Sequence, residues 1–162
     1  GKKVSADGVV FGNDTVVKHY QPGTEILGVH EVWYYHVIPW ATPALLNYGP
    51  GWIEIERCTP LLDLDRETAR SYRNNLWNLL NSIHEVGFWH RDIILRNVVV
   101  HPQRGILLID WETATTATSS VSYDLYGAQA AGVESAHPAR SLDGVWWGAP
   151  EDLSPRVYLD ES

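Results

Sequence analysis

A chain of 162 residues, 44% of them hydrophobic, suits one domain or one domain in two small lobes, and is too apolar to be disordered. Its 20 acidic and 12 basic side chains give a formal charge of −8, which disfavours non-specific binding to nucleic acid or to an anionic membrane. A cationic acceptor or a metal-bound ligand suits that sign better. The single cysteine, Cys58, closes no intramolecular disulfide, no apolar run approaches the roughly 18 residues of a membrane helix, and no signal peptide is visible. A cytoplasmic protein with no nucleic-acid or membrane partner is the expectation. There is no methionine, so the natural start is not among these residues. Eight Trp and eight Tyr against two Phe are expected to serve mostly in the core and at its edges.

In chain order, Gly8–Phe11 and Thr15–Tyr20 are β-rich runs around Gly12-Asn13-Asp14, a hairpin signature. Thr24 and Glu25 open a helix expected to run to Val37 or Ile38. A second hairpin spans Ala44–Tyr48 and Trp52–Arg57 around Gly49-Pro50-Gly51. In its second arm Ile53 and Ile55 alternate with Glu54 and Glu56, one face buried and one wet. One long helix is predicted from Asp65 to a glycine cap at Gly87, burying Ala69, Tyr72, Leu76, Leu79, Leu80, Ile83 and Val86. Two short strands follow, Val98–His101 and Ile106–Asp110. Thr113–Ser120 is a loop of Thr, Ala and Ser, Tyr123–Val133 has helical character, and the tail is rich in Pro, Gly and Trp. The order gives an α+β fold with a mostly antiparallel amino-terminal sheet.

The chemistry sits in His90-Arg91-Asp92, with Asn97 five residues after the aspartate, and in Asp110-Trp111-Glu112 at the end of the next strand pair. This stretch resembles the catalytic loop (H-R-D-x-x-x-x-N) and metal-binding turn of the protein-kinase-like superfamily. The Asp-Trp-Glu turn is closer to the aminoglycoside and choline kinases than to protein kinases. The resemblance implies a compact two-lobed kinase-like fold, with residues 1–57 as a small sheet lobe, 58–64 as hinge and 65–162 as a reduced helical lobe. It implies ATP with Mg²⁺ or Mn²⁺. Asp92 would orient or deprotonate the acceptor hydroxyl, Asn97 and Asp110 would hold metal, and His90 and Arg91 would brace the loop. Lys18, in Val16-Val17-Lys18, resembles the phosphate-contacting lysine of the family. Glu31 is its expected partner and Glu25 the competitor. Glu56 and Cys58 lie in the segment expected to meet adenine through its backbone.

The sequence also departs from that pattern. No G-x-G-x-x-G loop precedes the first hairpin, and the family's first strand reads as shortened or missing. Gly1-Lys2-Lys3 is no Walker loop, because no strand or spaced glycine comes before it. Ile94 stands where Ser/Thr protein kinases carry a lysine, with Arg96 close by. Tyr123-Asp124-Leu125-Tyr126-Gly127 resembles the buttress of the catalytic loop in larger kinases. Ala149-Pro150-Glu151 matches the A-P-E element in the wrong order, and Trp146-Trp147 is expected to cover the core. The expected activity is phosphoryl transfer to a small cationic hydroxyl compound or a protein hydroxyl. The alternative is a pseudokinase-type module that binds nucleotide or a partner protein, the short carboxy-terminal lobe offering the surface. A metal-dependent hydrolase built on His90, Asp92 and Asp110 lacks the further His ligands such sites show.

Overall fold

In the computed structural model, residues 8–116 are described together with the backbone of Lys3–Val4. The first strands are β1 (Lys3–Val4), β2 (Val9–Phe11) and β3 (Thr15–His19). β1 pairs antiparallel with β2, Lys3 opposite Phe11, so the first strand read as shortened or missing is present as a two-residue strand. β4 (Leu45–Gly49) and β5 (Trp52–Glu56) complete an antiparallel sheet of order β1-β2-β3-β5-β4. In β5 Ile53 and Ile55 are buried and the intervening glutamates only partly so, as the alternation required.

Between β3 and β4 runs helix α1 (Glu25–Val37), which turns Gly28, Glu31, Tyr34 and Tyr35 inward. Glu25 accepts from the Gly23 N–H, a local turn contact that removes it from the competition for Lys18. Gly28 admits a close neighbour: a Cβ there would stand 2.9 Å from the ring of Tyr20.

β6 (Thr59–Pro60) leaves the first sheet and joins a second one, β6-β7-β8, with β7 at Val98–His101 and β8 at Gly105–Leu108. The single long helix is in fact two, α2 (Arg66–Ser71) and α3 (Arg73–Glu85). The break has a local cause. The Ser71 hydroxyl donates back to the Thr68 carbonyl, and the Tyr72 N–H bonds to Ala69 O and Arg70 O, closer than a helical partner, tightening the turn before α3 restarts. Asp65 caps α2 by accepting from the Thr68 N–H. Gly87, at φ +88°, ends α3, with its own N–H bonded to His84 O and that of Phe88 to Ile83 O. Of the expected face, Ala69, Leu76, Leu80 and Ile83 are buried and Tyr72 and Leu79 pack at the margin. Val86 is 51% exposed, because it stands on the turn beyond the last helical residue. Trp77 is buried in its place.

The core runs from the sheet through α1 to α3 and β8. Its centre is Trp111, fully buried, stacked on Tyr34 at 5.4 Å between centroids, its indole N–H bonded to Leu108 O. No helix among the described residues is long and apolar enough to cross a membrane. Ala117–Ser120, Tyr123–Val133 with Asp124, Trp146-Trp147 and Ala149-Pro150-Glu151 lie outside the described residues.

Candidate active site

The loop between α3 and β7 is built from buried anchors. Ile93, Ile94 and Leu95 all point into the core, so Ile94 serves packing where protein kinases have a lysine. His90 is fully buried. One ring nitrogen lies 2.8 Å from Ile109 O, and the other accepts from the Asp92 N–H at 3.1 Å. A nitrogen that accepts from an amide carries no proton, so the other one donates, and the imidazole fixes both the Asp92 backbone and the end of β8. Arg91 adopts φ +74°, a conformation that non-glycine residues rarely take, and its guanidinium lies 3.5 Å from Thr113 O. The carboxylate of Asp92 accepts from the Asn97 amide nitrogen at 3.1 Å, which also donates to the Asp92 carbonyl at 3.0 Å.

Opposite this loop stands Lys18, on β3. Its ammonium lies 2.9 Å from Asp110 Oδ1, 3.2 Å from Glu112 Oε2 and 3.3 Å from Glu31 Oε1. Three elements meet here: strand β3, helix α1 and the turn after β8. Asp110 makes that turn at φ +65°. Glu31 is wholly buried, and its carboxylate also accepts from the Tyr20 hydroxyl and from the Trp111 backbone N–H. Tyr20 was not singled out from the sequence, and Glu112 was named only as part of its turn, without a role. Their signal lay in spacing, since each is two residues from a residue already chosen.

The charges are unevenly held. Burial works against the charge on Lys18, but Glu31, Asp110 and Glu112 outweigh it and hold the ammonium above its ordinary range. Burial likewise opposes ionisation of Asp110, and Lys18 overcomes it, so its carboxyl lies below the usual range. Glu112 goes the other way: burial and the neighbouring Asp110 raise it. Burial and the Glu31 charge push the Tyr20 phenol far up, so it remains a donor.

A cavity of about 820 Å³ opens between the two sheets. Its lining includes the apolar Val9, Val16, Ile55 and Val99 and the polar Lys18, Glu31, Asn97, Asp110, Glu112 and Arg96. Asp92 is half-buried beside Asn97 and does not line it. Glu56 and Cys58 line the cavity as well. The Glu56 carboxylate is occupied elsewhere, accepting from the Ala44 N–H at 2.8 Å and lying 3.3 Å from His101 and 3.6 Å from Arg104. Burial and the Glu56 charge push the Cys58 thiol up to about 11, so it is a poor nucleophile.

No cluster of three or more His, Cys, Asp or Glu among the described residues is arranged to hold a metal ion. The donor set nonetheless fits Mg²⁺ or Mn²⁺ carried in with a nucleotide. Such ions take one or two protein oxygens and find the rest on phosphates and water. Asp110 is held ionised, the amide nitrogen of Asn97 is bound to Asp92 and so leaves its oxygen as the free donor, and one ammonium faces three carboxylates.

A family model for phosphotransferase enzymes (APH) matches residues 47–151, more than half of the chain. The chain belongs to this phosphotransferase family. The match includes Asp92, Asn97, Asp110 and Glu112; Lys18 and Glu31 precede it and join the site through the fold. Among solved structures, the bifunctional kinase–methyltransferase WbdD is similar, with 23% identity and a TM-score of 0.54 over 74% of this chain and 33% of that one. A monomeric form of WbdD gives 22% identity and a TM-score of 0.51 over 70% and 33%. The likeness is one of kinase fold, and the chain spans about a third of the length of these structures. No curated protein matches the sequence.

Proposed function

We propose that this phosphotransferase takes the terminal phosphoryl group of ATP, with Mg²⁺ or Mn²⁺, and transfers it to the hydroxyl of a small cationic compound. The observation that carries the reading is the convergence of Lys18, Glu31 and Asp110 in one cavity, lined also by Asn97 and by apolar side chains. An adenine suits the apolar lining and a polyphosphate the charged groups. Lys18, released from Asp110 and Glu112, is the cation for phosphate oxygens, with Glu31 as its remaining tether. Asp110 and the Asn97 oxygen would hold the metal, which when bound neutralises phosphate charge and aligns the phosphates. Asp92, oriented by Asn97 and by His90, would accept the proton of the acceptor hydroxyl. Arg96, which lines the cavity near enough to act on Asp110, offers the positive charge that Ile94 cannot.

The small, cationic acceptor is inferred from the net charge of −8 and the Asp-Trp-Glu turn; an acidic surface raises the encounter rate of cations. Incubation with γ-labelled ATP, Mg²⁺ or Mn²⁺ and a panel of amino alcohols, aminoglycosides and basic peptides tests the whole reading. Label should pass to a cationic acceptor in the parent and not in Asp92→Asn, which should still bind ATP. Equal transfer by both proteins removes Asp92 from the chemistry, and label confined to acidic hydroxyl compounds added to the same panel removes the charge argument. A second reading, a nucleotide-binding module without transfer, draws on the occupancy of Lys18: its ammonium is held by Asp110 and Glu112 as well as by Glu31. Binding of Mg-ATP with no transfer to any acceptor would favour it.

A further inference from the structure

The chain that leaves β3 just past Lys18 brings a second residue to the same site. Tyr20 follows at the two-residue period that returns a side chain to one face, and its backbone N–H is pinned to Gly51 O at 2.8 Å. Its ring lies flat enough beneath the lysine for the ammonium to stand 5.0 Å from the ring centroid. Its hydroxyl crosses to α1 and donates to the same Glu31 oxygen that Lys18 uses. The crossing is possible because position 28, one turn before Glu31, is glycine; a Cβ there would meet two ring atoms of Tyr20 at 2.9 and 3.0 Å.

Glu31 thus has three donors, Lys18, Tyr20 and the Trp111 N–H, and only Lys18 would turn towards a phosphate. As Lys18 exchanges Asp110 and Glu112 for phosphate, Glu31 is the tether that must hold still, and a buried carboxylate short of a donor would be under-solvated and free to change rotamer. We propose that Tyr20, seated in the slot opened by Gly28, is the positioning residue for Glu31 and, through it, for Lys18. The phenol keeps Glu31 aimed while the ammonium changes partners. It also ties β3 to α1, so strand and helix move as one unit against the turn that carries Asp110. This inference rests on the nucleotide reading of the cavity for its consequence, but not for its geometry.

The test therefore has one arm without nucleotide and one with it. Tyr20→Phe keeps the ring and removes only the hydroxyl. In the free protein, amide exchange at Trp111 should accelerate about tenfold, because its acceptor Glu31 is no longer fixed. The Lys18 amine should also acylate faster with a soluble amine reagent. In the presence of Mg-ATP, the dissociation constant should rise about tenfold, while the melting temperature stays within a few degrees of the parent. Placed on a Glu31→Gln background, Tyr20→Phe should add little, since both act through one carboxylate. Gly28→Ala is the second variant. Alanine favours the helix, so a merely structural role predicts a stable, fully binding protein, whereas displacement of the Tyr20 ring predicts the loss seen in Tyr20→Phe. Unchanged exchange at Trp111 in Tyr20→Phe overturns the inference whether or not nucleotide binds. Faster exchange with unchanged Mg-ATP affinity overturns the link to Lys18. A parent protein that binds no Mg-ATP sinks the nucleotide reading instead, and the Trp111 and Lys18 measurements on the free protein then decide the inference.

Discussion

Three carboxylates meet one ammonium at Lys18, and the groups respond to pH in opposite senses. The carboxyl of Glu112 is raised above its ordinary 4.5 by burial and by Asp110, so the folded state holds that proton more firmly than the unfolded chain does. Ionising Glu112 therefore costs stability; the cost develops as pH rises above 4.5 and is complete once pH has passed the raised folded value. Glu112→Gln should raise the melting temperature of the free protein by roughly 1–4 °C at neutral pH, and the gain should vanish as pH falls below 4.5. A gain that persists at acid pH would show that charge is not its source. Asp110 has the opposite sign, lowered by Lys18 against the effect of burial, so it stabilises the fold above the ordinary 3.8 and that contribution is lost as acid protonates it. Asp110→Asn should leave the free protein folded and abolish the Mg²⁺-dependent stabilisation by ATP in a thermal shift assay. Retained stabilisation would remove Asp110 from the metal set.

Helices α2 and α3 show what a local pattern tells and what it omits. Gly87 takes φ +88° with open space around the position where a Cβ would stand, so Gly87→Ala carries only the backbone penalty, about 1–2 kcal/mol. Urea unfolding would measure it; a larger loss would mean a packing role that the open surroundings do not suggest. The stop at Gly87, both hairpins and the extent of α1 were legible in the sequence because each depends on residues next to one another in the chain. The break at Tyr72 was not, because apolar spacing runs through it unchanged and only the back-bonding of Ser71 to Thr68 interrupts the backbone ladder. Of the candidate site, the run from His90 to Glu112 was readable through its resemblance to a kinase-like loop and turn. Lys18 and Glu31 were paired as an expectation, and the sequence left Glu25 as a competitor because their meeting depends on where α1 packs. Tyr20 went unnoticed, and Glu112 was named only as part of its turn, because their importance is to the charge balance around other residues.

At the scale of the described fold, the two sheets are fastened to each other through Glu56. Glu56, the last residue of β5, lies against His101 and Arg104 of the β7–β8 hairpin, and Arg104 also donates to Pro39 O at 2.7 Å. Glu56→Gln should therefore lower the melting temperature slightly while changing ATP affinity less than about threefold, in keeping with the modest worth of part-exposed ion pairs. A large loss of affinity with unchanged stability would place the Glu56 side chain at the nucleotide after all. The left-handed backbone at Asp110 has a consequence for the molecule under selection. Glycine at 110 would relax a conformation that costs an ordinary residue about 1–2 kcal/mol, but it would also remove a carboxylate that Lys18 holds ionised and that stabilises the fold above the acid range. A library sorted for heat resistance in acid, where that charge is already lost, should accordingly enrich Asp110→Gly, and the hardiest proteins recovered from it would be those that had discarded their chemistry.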